Sequence, residues 1–191
     1  MLTVIIPTFN SERALVPTLA MLVPAAMSAV VREVIVADAG STDVTVEVAD
    51  VAGCNAVVAS APLAQRLREA AARARAPWLM FLRPGTVLDA TWEDEVVSFV
   101  EETDRGEAAA AVFRKAVSPR ASFPIAIEAL ALLKFSLLGR VGVEQGLVVS
   151  ARLYRELGGH RDGVADPEAD LVARLGRRRI AMLRSGARSP V

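Results

Sequence analysis

The chain opens on an unbroken aliphatic run at residues 2–6, and from there short apolar runs alternate with stretches whose apolar residues recur every three or four positions. A continuous run of this kind is what a strand covered on both faces requires. Ser11 stands where a helix cap is wanted, and the following pattern predicts a helix to about Leu22, closed by Pro24. Residues 33–37 form the second predicted strand. Thr42 or Asp43 starts a second helix that Gly53 ends. Residues 56–59 give the third strand, and Pro62 opens a third helix to about Ala76 with Arg66, Arg68, Glu69, Arg73 and Arg75 on its polar side. Residues 78–82 are the fourth strand.

The second half is less regular. Residues 89–103 predict an acidic helix ending near Gly106, residues 108–113 a strand, and residues 124–138 an apolar helix. A strand at 146–150 follows, then a short helix at 152–157 stopped by Gly158-Gly159, a helix at 168–175 and a last strand at 180–183. Residues 118–122 have the composition of a mobile loop. No internal repeat or low-complexity linker interrupts the chain, so 1–191 is expected to be one domain.

Strands separated by helices imply βαβ units and a mostly parallel sheet, an α/β fold flanked by helices. Ligands of such sheets bind beyond the carboxyl ends of the strands. Three polar loops directly follow strands there: residues 7–10, 38–43 and 83–86. In the second loop Asp38 leaves a buried strand, placed to accept hydrogen bonds from a base or ribose. Gly40 allows a tight turn, and Ser41-Thr42-Asp43 offers caps for the next helix. The same residues also make a plain capped turn with no ligand at all.

Composition narrows the field. Lys and Arg total 22 and Asp and Glu total 22, so no net field draws nucleic acid or an anionic membrane. Arg far outnumbers Lys and Ala is abundant, the bias of a GC-rich bacterial coding sequence. Cys54 is the sole cysteine and reads as a small buried hydrophobe, which excludes an internal disulfide and a thiolate metal cage. His160 is the sole histidine, so a multi-histidine metal site is excluded. The N-terminus has no basic region or cleavage site. The apolar stretch 124–138, broken by Glu128 and Lys134, falls short of the roughly 20 residues of a spanning helix. A cytoplasmic protein is expected. Neither a G-x-G-x-x-G, a G-x-x-x-x-G-K-[ST] nor a G-x-S-x-G sequence follows any strand, against dinucleotide-binding, P-loop and α/β-hydrolase chemistry.

An ordered series of short motifs points elsewhere. Val4-Ile5-Ile6-Pro7-Thr8-Phe9-Asn10 is followed by Asp38-Ala39-Gly40-Ser41-Thr42-Asp43, then Gln65-Arg66, residues 70–76 and Trp78-Leu79-Met80-Phe81-Leu82. Further on come Glu144-Gln145-Gly146, Leu157-Gly158-Gly159-His160, and a helix reading Glu168-Ala169-Asp170-Leu171-Val172-Ala173-Arg174-Leu175. Order and spacing over about 180 residues resemble a family 2 glycosyltransferase of the GT-A fold, in a bacterial subgroup with D-G-G-S-T-D and G-D-Q-G elements. The resemblance implies a nucleotide-binding half at 1–86 and an acceptor half at 87–191. It implies a nucleoside diphosphate sugar donor, UDP- or GDP-linked. Pro7, Thr8, Asn10, Asp38 and Ser41 would hold base and ribose, and Arg66 would help with base or diphosphate. Glu144, Gln145 and Asp170 would lie near sugar or acceptor, and inverting transfer to a hydroxyl would follow.

The pattern breaks in three places. The family's D-x-D loop, whose last carboxylate binds Mg²⁺ or Mn²⁺, corresponds to Arg83-Pro84-Gly85-Thr86, and the metal carboxylate falls on Gly85. Asp89 lies one turn further on, at a predicted helix start where capping is its expected task. Either Arg83 supplies the positive charge itself, giving a metal-independent transferase, or the site keeps binding without catalysis. The family's general-base Asp corresponds to Glu168, a carboxylate one methylene longer that still suits base work, with Asp166 and Asp170 as nearby substitutes. Ala39 replaces a Gly, at a cost of about 1 kcal/mol if that position needs a positive φ.

The segment 124–138 is apolar on almost every face, as a core helix or homodimer interface would be. A membrane-surface contact beside a lipid-linked acceptor is the other use, with Lys134 and Arg140 meeting lipid phosphates at the inner membrane. The competing function is a non-catalytic module that binds a nucleotide sugar or partners a protein.

Overall fold

A computed structural model of the chain describes residues 1–103, 110–116 and 146–188. The elements run β1 (Leu2–Thr8), α1 (Glu12–Met27), β2 (Val31–Asp38), α2 (Thr45–Val51), β3 (Asn55–Val58), α3 (Leu63–Arg73), β4 (Trp78–Phe81), β5 (Val87–Leu88), α4 (Trp92–Thr103), β6 (Ala110–Lys115), β7 (Leu147–Ser150), α5 (Ala151–Glu156), α6 (Pro167–Leu175) and β8 (Ile180–Arg188). One eight-stranded sheet takes them in the order β3-β2-β1-β4-β7-β6-β8-β5, drawing strands from both halves of the chain. The first four strands are mutually parallel, β7 runs against β4 and β6, and β8 lies parallel to β6.

Alternation along the strands sends side chains to two cores. Leu2, Val4 and Ile6 of β1 join Leu15, Leu19 and Leu22 of α1 and Trp92, Val96 and Phe99 of α4 on one face. Ile5, Ile35, Leu79 and Phe81 join Leu67 of α3, Tyr154 of α5 and Leu171 and Leu175 of α6 on the other. Both faces of β1 and β4 are thereby dry, which is why these strands read as unbroken apolar runs, while β2 becomes so only past Arg32 and Glu33.

Several element boundaries differ from the sequence expectation. Pro24 does not close α1, which continues through both Pro17 and Pro24 to Met27. Each proline deletes only its own N–H bond, and buried Leu15, Leu19, Leu22 and Ala25 keep the helix against the sheet. Helix α2 begins at Thr45 with Val44 at its N-cap, and Asp43, one residue earlier, accepts from Thr45 N on Oδ1 at 3.0 Å. The two-residue β5 was not foreseen, and β8 extends five residues past the expected Leu183 because it must reach both β6 and β5. Residues 118–122, the apolar segment 124–138, and Glu144 with Gln145 lie outside the described residues. Among the described residues no helix is long and apolar enough to cross a membrane. Cys54 is half-buried against the first core, and burial pushes its thiol up to about 11, in keeping with a packing role.

Candidate active site

Because β2, β1 and β4 are neighbours and parallel, the turns that follow them leave the same edge side by side. The turns after β1 and β2 are interlocked. Asn10 N donates to Ser41 Oγ at 2.9 Å, and Asn10 Oδ1 accepts from Thr42 N at 2.8 Å. Ser11 N donates to Thr45 Oγ1 at 2.8 Å, and Glu12 N to Asp43 Oδ2 at 3.2 Å. Asp43 thus serves the amino ends of both α1 and α2, where an anion is favoured. Ser11, expected to cap α1, turns its hydroxyl back to the Phe9 carbonyl instead, at 3.0 Å.

Asp38 organises this knot from inside. It is 0% exposed, and its carboxylate takes four donors: Gly40 N at 2.8 Å and Ser41 N at 2.7 Å on Oδ1, Thr8 Oγ1 at 2.7 Å and Ser41 Oγ at 2.5 Å on Oδ2. Burial pushes its carboxyl upward, but the Ser41 and Thr8 hydroxyls and the two N–H groups outweigh that and hold it below the usual carboxylate range. The direct contact with base or ribose expected of Asp38 is therefore not open in this conformation, since no oxygen is left over. What Asp38 fixes is the backbone of the turn. Gly40 carries the positive φ of that turn, +92°, so Ala39 sits at an ordinary φ and the expected penalty does not arise.

Arg66 also differs from expectation. It lies on the buried side of α3, 8% exposed, and not on the polar face. Its Nη1 donates to the carbonyls of Ala37 and Thr8, and its Nε to Ala61 O at 3.1 Å. The guanidinium therefore seals carbonyls at the carboxyl ends of β1 and β2. Burial lowers its proton affinity and the Asp38 charge partly restores it. Pro7 is half-buried and pairs with Ala37 in the sheet, while Asn10 is exposed with φ +47°. Phe9, beside them, is 59% exposed, an aromatic surface at the rim that the sequence reading passed over.

The turn after β4 is built differently. Thr86 N returns to Arg83 O at 3.1 Å around Pro84 and Gly85, and Gly85 has φ +87°, the arrangement of a type II turn with Pro and Gly in their preferred places. Gly85 N is anchored to Thr18 Oγ1 of α1 at 2.9 Å, and that hydroxyl donates on to Thr86 O at 3.0 Å. Gly85, the position expected to correspond to the metal carboxylate, is thus part of a backbone turn with no side chain. Asp89, further along the chain, is engaged elsewhere. Its carboxylate accepts from Gly186 N at 2.8 Å and pairs with Arg188, tying β5 to β8 and not capping α4. Among the described residues no cluster of three or more His, Cys, Asp and Glu side chains forms a metal cage.

Arg83, leading this turn, meets Glu168 in the first turn of α6, 85 positions away. Nε donates to Glu168 Oε2 at 3.1 Å, and Nη2 donates to the same oxygen. The Arg83 side chain is 41% exposed and that of Glu168 only 12%. Burial raises the Glu168 carboxyl above its usual range, Arg83 opposes this through hydrogen bond and charge, and Asp166 adds to the rise. The other two carboxylates of the segment are committed locally. Asp166 caps α6, accepting from Glu168 N and Ala169 N at 3.1 and 3.0 Å. Asp170 pairs with Arg174 at 2.7 Å, and Arg174 also holds Leu157 O and Gly159 O. Asp170 therefore braces the Gly158-Gly159 turn through Arg174. His160, next in that turn, is 1% exposed, takes Tyr154 OH at 2.8 Å and stacks edge-on against Phe81. Of the Glu144-Gln145-Gly146 element only Gly146 is described; its φ of +72° accounts for the glycine, and a Cβ there would also crowd Leu82 and Phe113.

A mostly parallel sheet with a rim of loops after β1, β2 and β4 and a carboxylate helix facing them defines a GT-A type of nucleotide-sugar transferase fold. Residues 3–124 match the family described as glycosyl transferase family 2, and the chain belongs to that family. No curated protein matches the chain. Among solved structures, the mannosyltransferase PcManGT from Pyrobaculum calidifontis, in complex with GDP-Man and Mn²⁺, aligns with TM-score 0.73 at 18% identity over 96% of this chain and 54% of its own. S. aureus TarS, residues 1–349, aligns with TM-score 0.70 at 16% identity, over 98% of this chain and 60% of that one. Glucosyl-3-phosphoglycerate synthase from Mycobacterium tuberculosis, in complex with phosphoglyceric acid, aligns with TM-score 0.69 at 21% identity, over 100% and 72%. The same synthase is known with Mn²⁺, UDP and glucosyl-3-phosphoglycerate. At these identities the likeness is one of fold, and the chain spans about half to three-fifths of the first two proteins.

Proposed function

We propose that the chain transfers a sugar from a nucleoside diphosphate sugar, UDP- or GDP-linked, to a hydroxyl acceptor with inversion, using Arg83 in place of a metal ion. The observation that carries this reading is the meeting of Arg83 and Glu168 beside the interlocked turns after β1 and β2. The residues where relatives bind a divalent cation do not fit one: Gly85 offers no oxygen ligand from a side chain, and Asp89 is spent on β8.

In this reading Asn10, Ser41 and the exposed Phe9 face the nucleoside, on a backbone that Asp38 and Arg66 hold from below. Arg83 binds diphosphate oxygens through its planar fork. Glu168 takes the proton of the acceptor hydroxyl as that oxygen bonds to the anomeric carbon. The bond from that carbon to the diphosphate breaks, and Arg83 stabilises the charge left on the leaving group. Its raised proton affinity suits Glu168 to this task.

A non-catalytic nucleotide-sugar-binding module is the second reading, favoured by the neutralised state of Glu168 in its pair with Arg83. Turnover separates the two. A panel of UDP- and GDP-sugars is incubated with the chain, with and without EDTA, and free nucleoside diphosphate is measured. Chelator-insensitive release that Arg83→Ala lowers on the order of 100-fold is expected. A thermal shift with nucleotide but no release from any donor would favour the binding module. Release that EDTA stops would overturn the role given to Arg83.

A further inference from the structure

The Arg83–Glu168 pair is lopsided. Nε and Nη2 both address Oε2, so the two parallel bonds of a full guanidinium–carboxylate fork are not made. Nη1 of Arg83 and Oε1 of Glu168 have no protein partner among the described residues. The cation is the more accessible partner, 41% exposed against 12% for the carboxylate. Whatever anion enters the rim therefore reaches Arg83 before it reaches Glu168, and a diphosphate brings more charge and more oxygens to the fork than one carboxylate oxygen does.

We propose that Arg83 is an exchangeable gate on Glu168: the diphosphate of an arriving donor draws the guanidinium away and leaves the carboxylate free for the acceptor only in the donor-loaded site. This rests on the transferase reading above and adds an order to it. The donor binds first, because before it arrives the carboxylate is occupied by Arg83. Transfer follows, with the acceptor proton passing to Glu168. The nucleoside diphosphate product then leaves, and Arg83 returns to Oε2. A fixed strut would behave differently, since the fork would stay on Glu168 throughout and donor and carboxylate would not compete.

Competition for one guanidinium has a signature that a strut lacks. Binding of UDP and of GDP is measured by titration calorimetry on wild type, Glu168→Gln, Arg83→Gln and the double variant. Glu168→Gln keeps the shape and removes the competing charge, so it should tighten the preferred diphosphate by about three- to tenfold. Arg83→Gln should weaken it, and adding Glu168→Gln to Arg83→Gln should change nothing. Glu168→Asp, which draws the carboxylate back from Arg83, should tighten binding by a smaller factor and serves where the amide variant does not fold. Equal or weaker affinity in both Glu168 variants would overturn the gate while leaving the transferase reading intact, as would equal tightening in the Arg83→Gln background. Absence of binding of either diphosphate to the wild type would overturn the transferase reading itself, and the gate with it.

Discussion

The two sides of the rim are held in opposite ways. On the β1/β2 side every functional-looking carboxylate is consumed: Asp38 takes four donors inside the fold, and Asp43 spans two helix starts. On the β4/α6 side a single one-oxygen ion pair joins Arg83 to Glu168, with donor and acceptor capacity to spare on both. Both sides carry charged residues in motif positions, yet only on the second do those side chains keep hydrogen-bonding capacity unspent. A carboxylate in a family motif is thus no guide to its task until its hydrogen bonds are counted.

Removing Asp38 should break the first side most severely. Asp38→Ala strands two hydroxyls and two N–H groups, and we expect a loss of about 3 kcal/mol in urea unfolding together with loss of nucleotide affinity. The second side answers differently. Arg83→Ala should leave stability within about 1 kcal/mol of wild type, because the cation is part-exposed, while turnover falls on the order of 100-fold. A next effect sits beneath Glu168's helix. His160 is pushed down to about 4, first by burial and then by Arg174 and Arg68, against an unfolded value near 6.5. The unfolded chain thus binds the proton first, so stability present above about pH 6.5 should decline as pH falls toward 4, by about 3 kcal/mol in total. His160→Phe should flatten that slope in pH-dependent urea unfolding. Smallest is the turn after β4. Gly85→Ala forces a side chain onto φ +87° and should cost about 1–2 kcal/mol, read as a lowered Tm.

Much of the first half was legible because β1 and β4 are covered on both faces, β2 is apolar from Val34 to Ala37, and each βα turn follows directly from a strand. The polar loops at 7–10, 38–43 and 83–86 do lie along one edge, as parallel order requires. Four features were not legible, for physical reasons. Pro24 reads as a helix stop on local grounds, but burial of Leu22 and Ala25 carries α1 past it. Arg66 counts as polar in a helical pattern, and its carbonyl partners come from Thr8 and Ala37, 58 and 29 positions away. Asp38 looks like a ligand contact in one dimension, and only the folded turns of Thr8 and Ser41 show it to be enclosed. The Arg83–Glu168 contact joins two positions the motifs singled out separately, and no local rule predicts that they touch.

If Arg83 is the cation for a diphosphate, affinity must depend on the number of phosphates the nucleotide carries. Affinities for UMP and UDP, and for GMP and GDP, are compared by calorimetry in EDTA for wild type and Arg83→Ala. The wild type should favour the diphosphate by at least about tenfold in the preferred pair, with that preference lost in the variant while monophosphate affinity stays level. A diphosphate preference that survives unchanged in Arg83→Ala would contradict the account.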